Sequence, residues 1–218
     1  MKQRNFFYGL IIFGLSFLIL TILLFTVDRQ TLTLDTPSVG LATMNQFFFP
    51  NNHFPVWDTL TDIIMIVALF IILIAAFIGF IQLITRKHLV KVNPTILSLG
   101  IIVITMMIIW VVFDKGWVVN YRPILVEGTI ESSYPSTHMM MATTIFLIFP
   151  TMVSQKRLRK LASLLSIGCI TITILGRLLT KLHWFTDVIG GLIIGCFLFC
   201  LYVLLVDILK ARITKKVI

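Results

Sequence analysis

The sequence predicts an all-α, polytopic membrane protein, a single domain over residues 1–218 with six transmembrane helices and both termini on the cytoplasmic side. Three observations lead there. The chain is 58% hydrophobic and only 12% charged, with a mean hydropathy of +1.03, against about half apolar and a quarter charged in soluble domains. It breaks into six uncharged stretches, most of them near the roughly 20 residues that cross a hydrocarbon core. Its basic residues alternate sides when those stretches are taken as spans.

The first stretch, Asn5 to Val27, follows Lys2 and Arg4. It is too long for a signal-peptide core, and Thr26-Val27-Asp28 offers no small-residue cleavage site, so it reads as a retained anchor. The first outer loop, about residues 28–59, carries Met44-Asn45-Gln46-Phe47-Phe48-Phe49-Pro50. Those rings either lie at headgroup depth or belong to an ordinary loop at the aromatic belt. The stretches Ile63 to Thr85 and Val92 to Phe113 follow, then a second outer loop at about 114–137.

The fourth and fifth stretches, Met139 to Gln155 and Leu161 to Gly176, are short. They span only if their helices run on past His138 and Arg177, which places two ionisable groups at membrane depth, where such groups are functional by default. The third outer loop covers about 177–187, and the last span is Val188 to Val206. Its Gly191 and Gly195, four apart, allow close packing within the chain, and a monomer is favoured over a dimer. Cys169, Cys196 and Cys200 read as small buried hydrophobes rather than a disulfide or metal set.

With this layout 13 basic residues fall on one side, in clusters such as Arg86-Lys87 and Lys156-Arg157, and five on the other: Arg29, Lys115, Arg122, Arg177 and Lys181. The positive-inside rule puts the termini in the cytoplasm. The same placement disposes of nucleic acid as a partner, although the net charge is +9. Short basic clusters flanking apolar spans orient a membrane protein and touch anionic headgroups. Disorder is excluded by the aliphatic content, and a disulfide scaffold by only three Cys.

Polar groups concentrate at the outer boundary. Lys115 to Pro123 reads KGWVVNYRP, Tyr134 to His138 reads YPSTH, and Gly176 to Asp187 reads GRLLTKLHWFTD. Taken singly, each cation could be a snorkelling anchor and each His a packed interfacial residue. Together they suggest more. His183 and Asp187 are four apart, so on a helix the carboxylate can accept a hydrogen bond from one ring nitrogen and leave the other's lone pair free. Three cations, two imidazoles and no acid beyond the orienting one describe a pocket for a multiply charged anion such as phosphate. A metal fits poorly beside three permanent cations.

Lys115 with Arg122-Pro123, then Pro135-Ser136-Thr137-His138, then Arg177 with His183 and Asp187, resembles the three-part signature of the type-2 phosphatidic acid phosphatase superfamily. Two positions depart from that pattern: Thr137 stands where the family usually has Gly, and Gly176 where it usually has Ser. The resemblance implies that His183 attacks the terminal phosphorus and forms a phosphohistidine, with Asp187 holding its ring. It implies that His138 protonates the leaving oxygen and then activates water, while Lys115, Arg122, Arg177, Ser136 and Thr137 bind the phosphoryl oxygens. No cofactor is needed. The expected substrate is a membrane lipid phosphate or pyrophosphate, such as undecaprenyl pyrophosphate, phosphatidylglycerophosphate or phosphatidic acid. The implied setting is a bacterial plasma membrane with the site on the extracytoplasmic side. A phosphotransferase using the same pocket, or a lipid-phosphate transporter, is the alternative.

Overall fold

The computed structural model describes residues 2–31, 37–52, 54–86, 92–125 and 128–215. Its helices are α1 (Lys2–Thr26), α2 (Ala42–Phe47), α3 (Pro55–Arg86), α4 (Pro94–Val111), α5 (Thr137–Met152), α6 (Lys156–Leu179) and α7 (Phe185–Lys215). A π-helical turn, Val112–Gly116, extends α4. Among the described residues the extended pairing is limited to two isolated bridges, Gln30 with Val39 and Tyr121 with Ser132.

Local chemistry explains several of these boundaries. Proline opens α3 and α4, where a missing N–H costs nothing. Asn93 caps α4 by accepting from the Thr95 amide at 3.0 Å. Ser136 caps α5 through its hydroxyl and the Met139 amide. Asp187 accepts from the Trp184 amide at 2.9 Å, the backward half of a capping box at the start of α7.

Among the described residues five helices are long and apolar enough to cross a bilayer: those containing Gln3–Thr26, Pro55–Thr85, Pro94–Gly116, Lys156–Leu179 and Phe185–Arg212. The expected fourth span is the exception. At 16 residues α5 is about 24 Å long, short of a hydrocarbon core of about 30 Å. It is also the most enclosed, packed against α3, α4, α6 and α7, with Met139, Met140, Ile145 and Ile148 almost wholly buried. Its neighbours carry the lipid-like surface. Phe70, Leu73 and Phe77 of α3, Ile104 of α4 and Leu164 of α6 are all exposed. The core between them is built from Ile64 and Ala68 of α3, Leu99 and Ile102 of α4, and Ile194 and Leu198 of α7.

The last helix sits close to α5 because its small residues permit it. A Cβ on Gly191 would lie 2.6 Å from the Ser136 carbonyl oxygen, and one on Gly195 2.6 Å from Thr143 Cβ. Thus the glycines read as a packing seam do face another helix of the same chain. The three cysteines are free thiols.

The loop boundaries need correction. Helix α3 begins at Pro55 rather than after Thr59, so Asp58 and Asp62 lie on a helix rather than in or beside a loop. Charge marked the end of each apolar stretch in the sequence, but a helix does not stop at the first carboxylate when that carboxylate has a partner. Similarly, α6 runs through Arg177 to Leu179 and α7 starts at Phe185, which shortens the third loop to residues 180–184.

The aromatic run of the first loop divides. Phe47 projects outward, whereas Phe48 stacks on Phe185 with centroids 4.1 Å apart and Phe49 packs on Trp184. Lys181 donates to the Asn51 carbonyl at 2.7 Å and lies over the Phe49 ring, tying the third loop to the first. Trp184 Nε1 donates to the Tyr121 carbonyl at 2.8 Å, tying it to the second. The three loops therefore close together at one end of the bundle.

Candidate active site

The loops and the helix ends beneath them bring most of the motif residues together. His183 is 4% exposed, in the short link between α6 and α7. Its Nδ1 donates to the Ser133 carbonyl at 3.0 Å. Asp187 Oδ2 is 3.9 Å from the same nitrogen, too far for the hydrogen bond expected from the spacing. The tautomer is fixed all the same. With the proton on Nδ1, Nε2 carries the lone pair, and no described residue bonds it.

Asp187 is held by neutral donors. Asn120 Nδ2 reaches Oδ1 at 3.1 Å, and the Trp184 amide reaches Oδ2. Asn120 in turn accepts from the Gly40 amide at 3.1 Å. Asn45 donates to the Gly40 carbonyl and to Thr186 Oγ1, and it accepts from the Thr186 amide. Asn45, Asn120, Thr186 and Asp187 are all buried, so this network fixes the carboxylate from below without adding charge. Burial holds the His183 pKa below the ordinary imidazole value; Asp187 opposes that shift, while Arg122 and Arg177 reinforce it. The ring is neutral at neutral pH.

The second histidine sits differently. His138 is the second residue of α5, and its Nε2 is 3.0 Å from Asp62 Oδ1. That same oxygen accepts from Arg177 Nη2 at 3.0 Å. Arg177 Nη1 is 3.2 Å from Asp58 Oδ1, and Nη2 also donates to Thr61 Oγ1 at 2.5 Å. The guanidinium is 2% exposed, and no described residue bonds its Nε. Arg122 Nε lies 3.1 Å from Glu131 Oε2. Lys115 points outward, with its side chain 81% exposed and its amine 3.1 Å from Asp114 Oδ2. Asp114 also accepts from the Ser132 hydroxyl.

The expectation of a pocket with no acid beyond Asp187 is therefore wrong. Each of the three cations has a carboxylate partner: Asp58 and Asp62 for Arg177, Glu131 for Arg122, Asp114 for Lys115. Buried or half-buried cations carry partners because leaving them bare costs several kcal/mol. Asp58, Thr61 and Asp62 were among the residues sequence reasoning missed. Their spacing of three and four, on a helix carried back to Pro55, was the signal that could have found them.

Ser136 and Thr137 open α5. Ser136 is wholly buried, its amide donating to the Asp187 carbonyl at 3.0 Å, and it links the starts of α5 and α7. Thr137 lines a cavity of about 860 Å³ together with Lys115, Arg122 and His183. That cavity is polar at this end. Its other end is walled by Leu69 and Ile72 of α3, Val103, Met106 and Trp110 of α4, and Met140 of α5.

Comparison with known proteins bears on what this arrangement is. None of the curated protein sequences matches the chain. Among solved structures, the fold is similar to that of a transmembrane PAP2-type phosphatidylglycerolphosphate phosphatase from Bacillus subtilis, with a TM-score of 0.59 and 18% identity, covering 95% of this chain and 97% of that one. With its apolar helices, that likeness marks a multi-pass membrane protein. The sequence profile of the PAP2 superfamily matches residues 95–210, more than half of the chain and the part that carries all three motifs, and the protein belongs to that superfamily.

Proposed function

We propose that this protein is a membrane lipid phosphatase that removes the terminal phosphate of a lipid phosphate or pyrophosphate through a phosphohistidine on His183. The observation that carries the reading is the shape of the cavity. One continuous space joins an apolar groove between α3, α4 and α5 to the end where Arg122 and His183 lie. A lipid fits such a space with its chain along the groove and its phosphate among the cations, and a soluble nucleotide would leave the groove unfilled. The groove wall includes Met65, Met106, Met107, Met140 and Met141, whose flexible thioethers suit chains of varied shape.

In this mechanism the His183 Nε2 lone pair forms the N–P bond as the P–O bond to the lipid breaks. His138 gives a proton to the departing oxygen. Water then attacks phosphorus, the N–P bond breaks, and His138 takes a proton from that water, so the enzyme returns to its starting state. Arg122 and Arg177 stabilise the equatorial oxygens, with Lys115 turning inward from its exposed position and the first-turn amides of α5 at Thr137 helping. Bound phosphate takes the place of the carboxylates now beside the cations. The reaction needs no metal on this account, since the cations supply the charge.

The layout that accompanies this reading has α5 as the fourth of six spans, both termini in the cytoplasm, and the site on the extracytoplasmic face of a bacterial plasma membrane. A phosphate-release assay on purified protein, run with chelator over undecaprenyl pyrophosphate, phosphatidylglycerophosphate and phosphatidic acid, tests it. Release of inorganic phosphate without an added acceptor supports hydrolysis. No release from any of them, or loss of all activity in chelator, contradicts it.

A further inference from the structure

The superfamily pattern carries a serine immediately before the arginine of its third motif, and this chain has Gly176 there. The structure accounts for the glycine. A Cβ at position 176 would overlap Thr61 Cγ2 and come within 3.4 Å of the Trp57 carbonyl oxygen, so the space a serine side chain needs is already taken by α3. What fills it is another hydroxyl. Thr61 is 1% exposed, and its Oγ1 is 2.5 Å from Arg177 Nη2. Its proton goes to the backbone, with the Trp57 and Asp58 carbonyls at 3.0 and 2.9 Å, which leaves a lone pair to accept from the guanidinium.

We propose that Thr61 is the positioning residue for Arg177, taking from a neighbouring helix the place of the missing serine hydroxyl. The inference rests on reading Arg177 as a phosphate-binding group. Thr61 fixes the orientation of one end of the guanidinium. Asp58 and Asp62 hold the same group through ion pairs, Asp62 also accepting a hydrogen bond from Nη2, but both are substantially exposed where Thr61 is buried. When phosphate displaces those carboxylates, the buried hydroxyl is the contact that remains, and the Nη1 and Nη2 hydrogens they release, with the unpartnered Nε, are the donors open to phosphoryl oxygens. The two departures belong together: Gly176 is tolerated because Thr61 is present, and required because Thr61 fills the space.

The test is a reciprocal exchange in the full-length protein in detergent. Two readouts are used: phosphate release from the lipid-phosphate panel, and the rise in Tm caused by inorganic phosphate. Thr61→Ala should raise KM and lower kcat/KM about tenfold, the effect of losing a hydrogen bond to a charged group, and should reduce the phosphate-induced rise in Tm. Thr61→Ser should stay within about twofold of wild type. Gly176→Ser alone should lose activity or stability because of the overlap, and Thr61→Ala/Gly176→Ser should recover kcat/KM above either single variant. Wild-type kinetics in Thr61→Ala, or a double variant no better than its weaker parent, overturns the proposal even if Gly176→Ser fails to fold. The readouts also separate it from the phosphatase reading. A wild-type protein that phosphate stabilises but that hydrolyses no lipid refutes the phosphatase reading, and Thr61 is then judged on Tm alone. A wild-type Tm that phosphate does not move refutes the anion site and this proposal with it.

Discussion

The two histidines of the site occupy opposite kinds of surroundings. His183 is enclosed, held by a backbone carbonyl, and backed by a carboxylate whose two oxygens are occupied by an amide side chain and a backbone N–H. His138 sits at a helix start against Asp62, which is half exposed and shared with Arg177. One side is assembled from buried hydrogen bonds with neutral donors around one carboxylate. The other is assembled from ion pairs that an incoming phosphate must replace. The contrast suggests that the nucleophile is preorganised, whereas the acid and base partner and its arginine are set only when substrate arrives.

Breaking the rigid side should have the largest effects. His183→Ala removes the nucleophile and should lower phosphate release below about a thousandth of wild type, with the protein still monodisperse in detergent. Asp187→Asn should cost about a hundredfold in kcat with a smaller change in KM, because the ring loses the nearby negative charge that stabilises it as it becomes cationic while the cations stay. It should also lower Tm, since the capping of α7 is weakened. Asn120→Leu leaves the buried Asp187 Oδ1 without its donor, and a loss of about tenfold in kcat is expected. Unchanged kcat in Asn120→Leu would mean that the network supports the loops and not the chemistry.

The pH dependence sharpens the same contrast. His183 must be neutral to attack, and burial keeps its folded pKa below the ordinary value of about 6.5. The acid limb of kcat/KM set by His183 should therefore lie below about pH 6.5. The unfolded chain takes up a proton in that window while the folded ring does not, so stability should fall as the pH drops through it. An acid limb above 7 that Asp187→Asn leaves in place would assign it to another group. On the ionic side the effects should be smallest. Asp58→Asn removes a competitor for Arg177 and should lower KM about threefold with little change in kcat.

Much of this was legible in the sequence, and the parts that were not share a cause. Charge-free stretches and basic clusters pointed to the apolar helices, and the shortness of the stretches beside His138 and Arg177 extended α5 and α6 over those residues, as the structure has them. The i, i+4 spacing brought Asp187 near His183, but spacing on one element says nothing about a competitor from another. The Ser133 carbonyl, fifty residues earlier in the chain, makes the hydrogen bond instead. Asp58, Thr61 and Asp62 were hidden because acids were used to end spans. Their meaning is tertiary: only the packing of α3 against α5 and α6 sets them against His138 and Arg177. Lys115 matched the motif by spacing, yet it points outward to Asp114.

The central claim is that His183 carries the phosphoryl group. The most direct measurement is to quench the purified protein during turnover of a lipid substrate labelled in its terminal phosphate and locate the label by peptide mapping. The account predicts an acid-labile, base-stable phosphohistidine at His183 that is absent in His183→Ala and accumulates when release is slowed in His138→Ala. Label on another residue, or turnover that persists in His183→Ala, would contradict it.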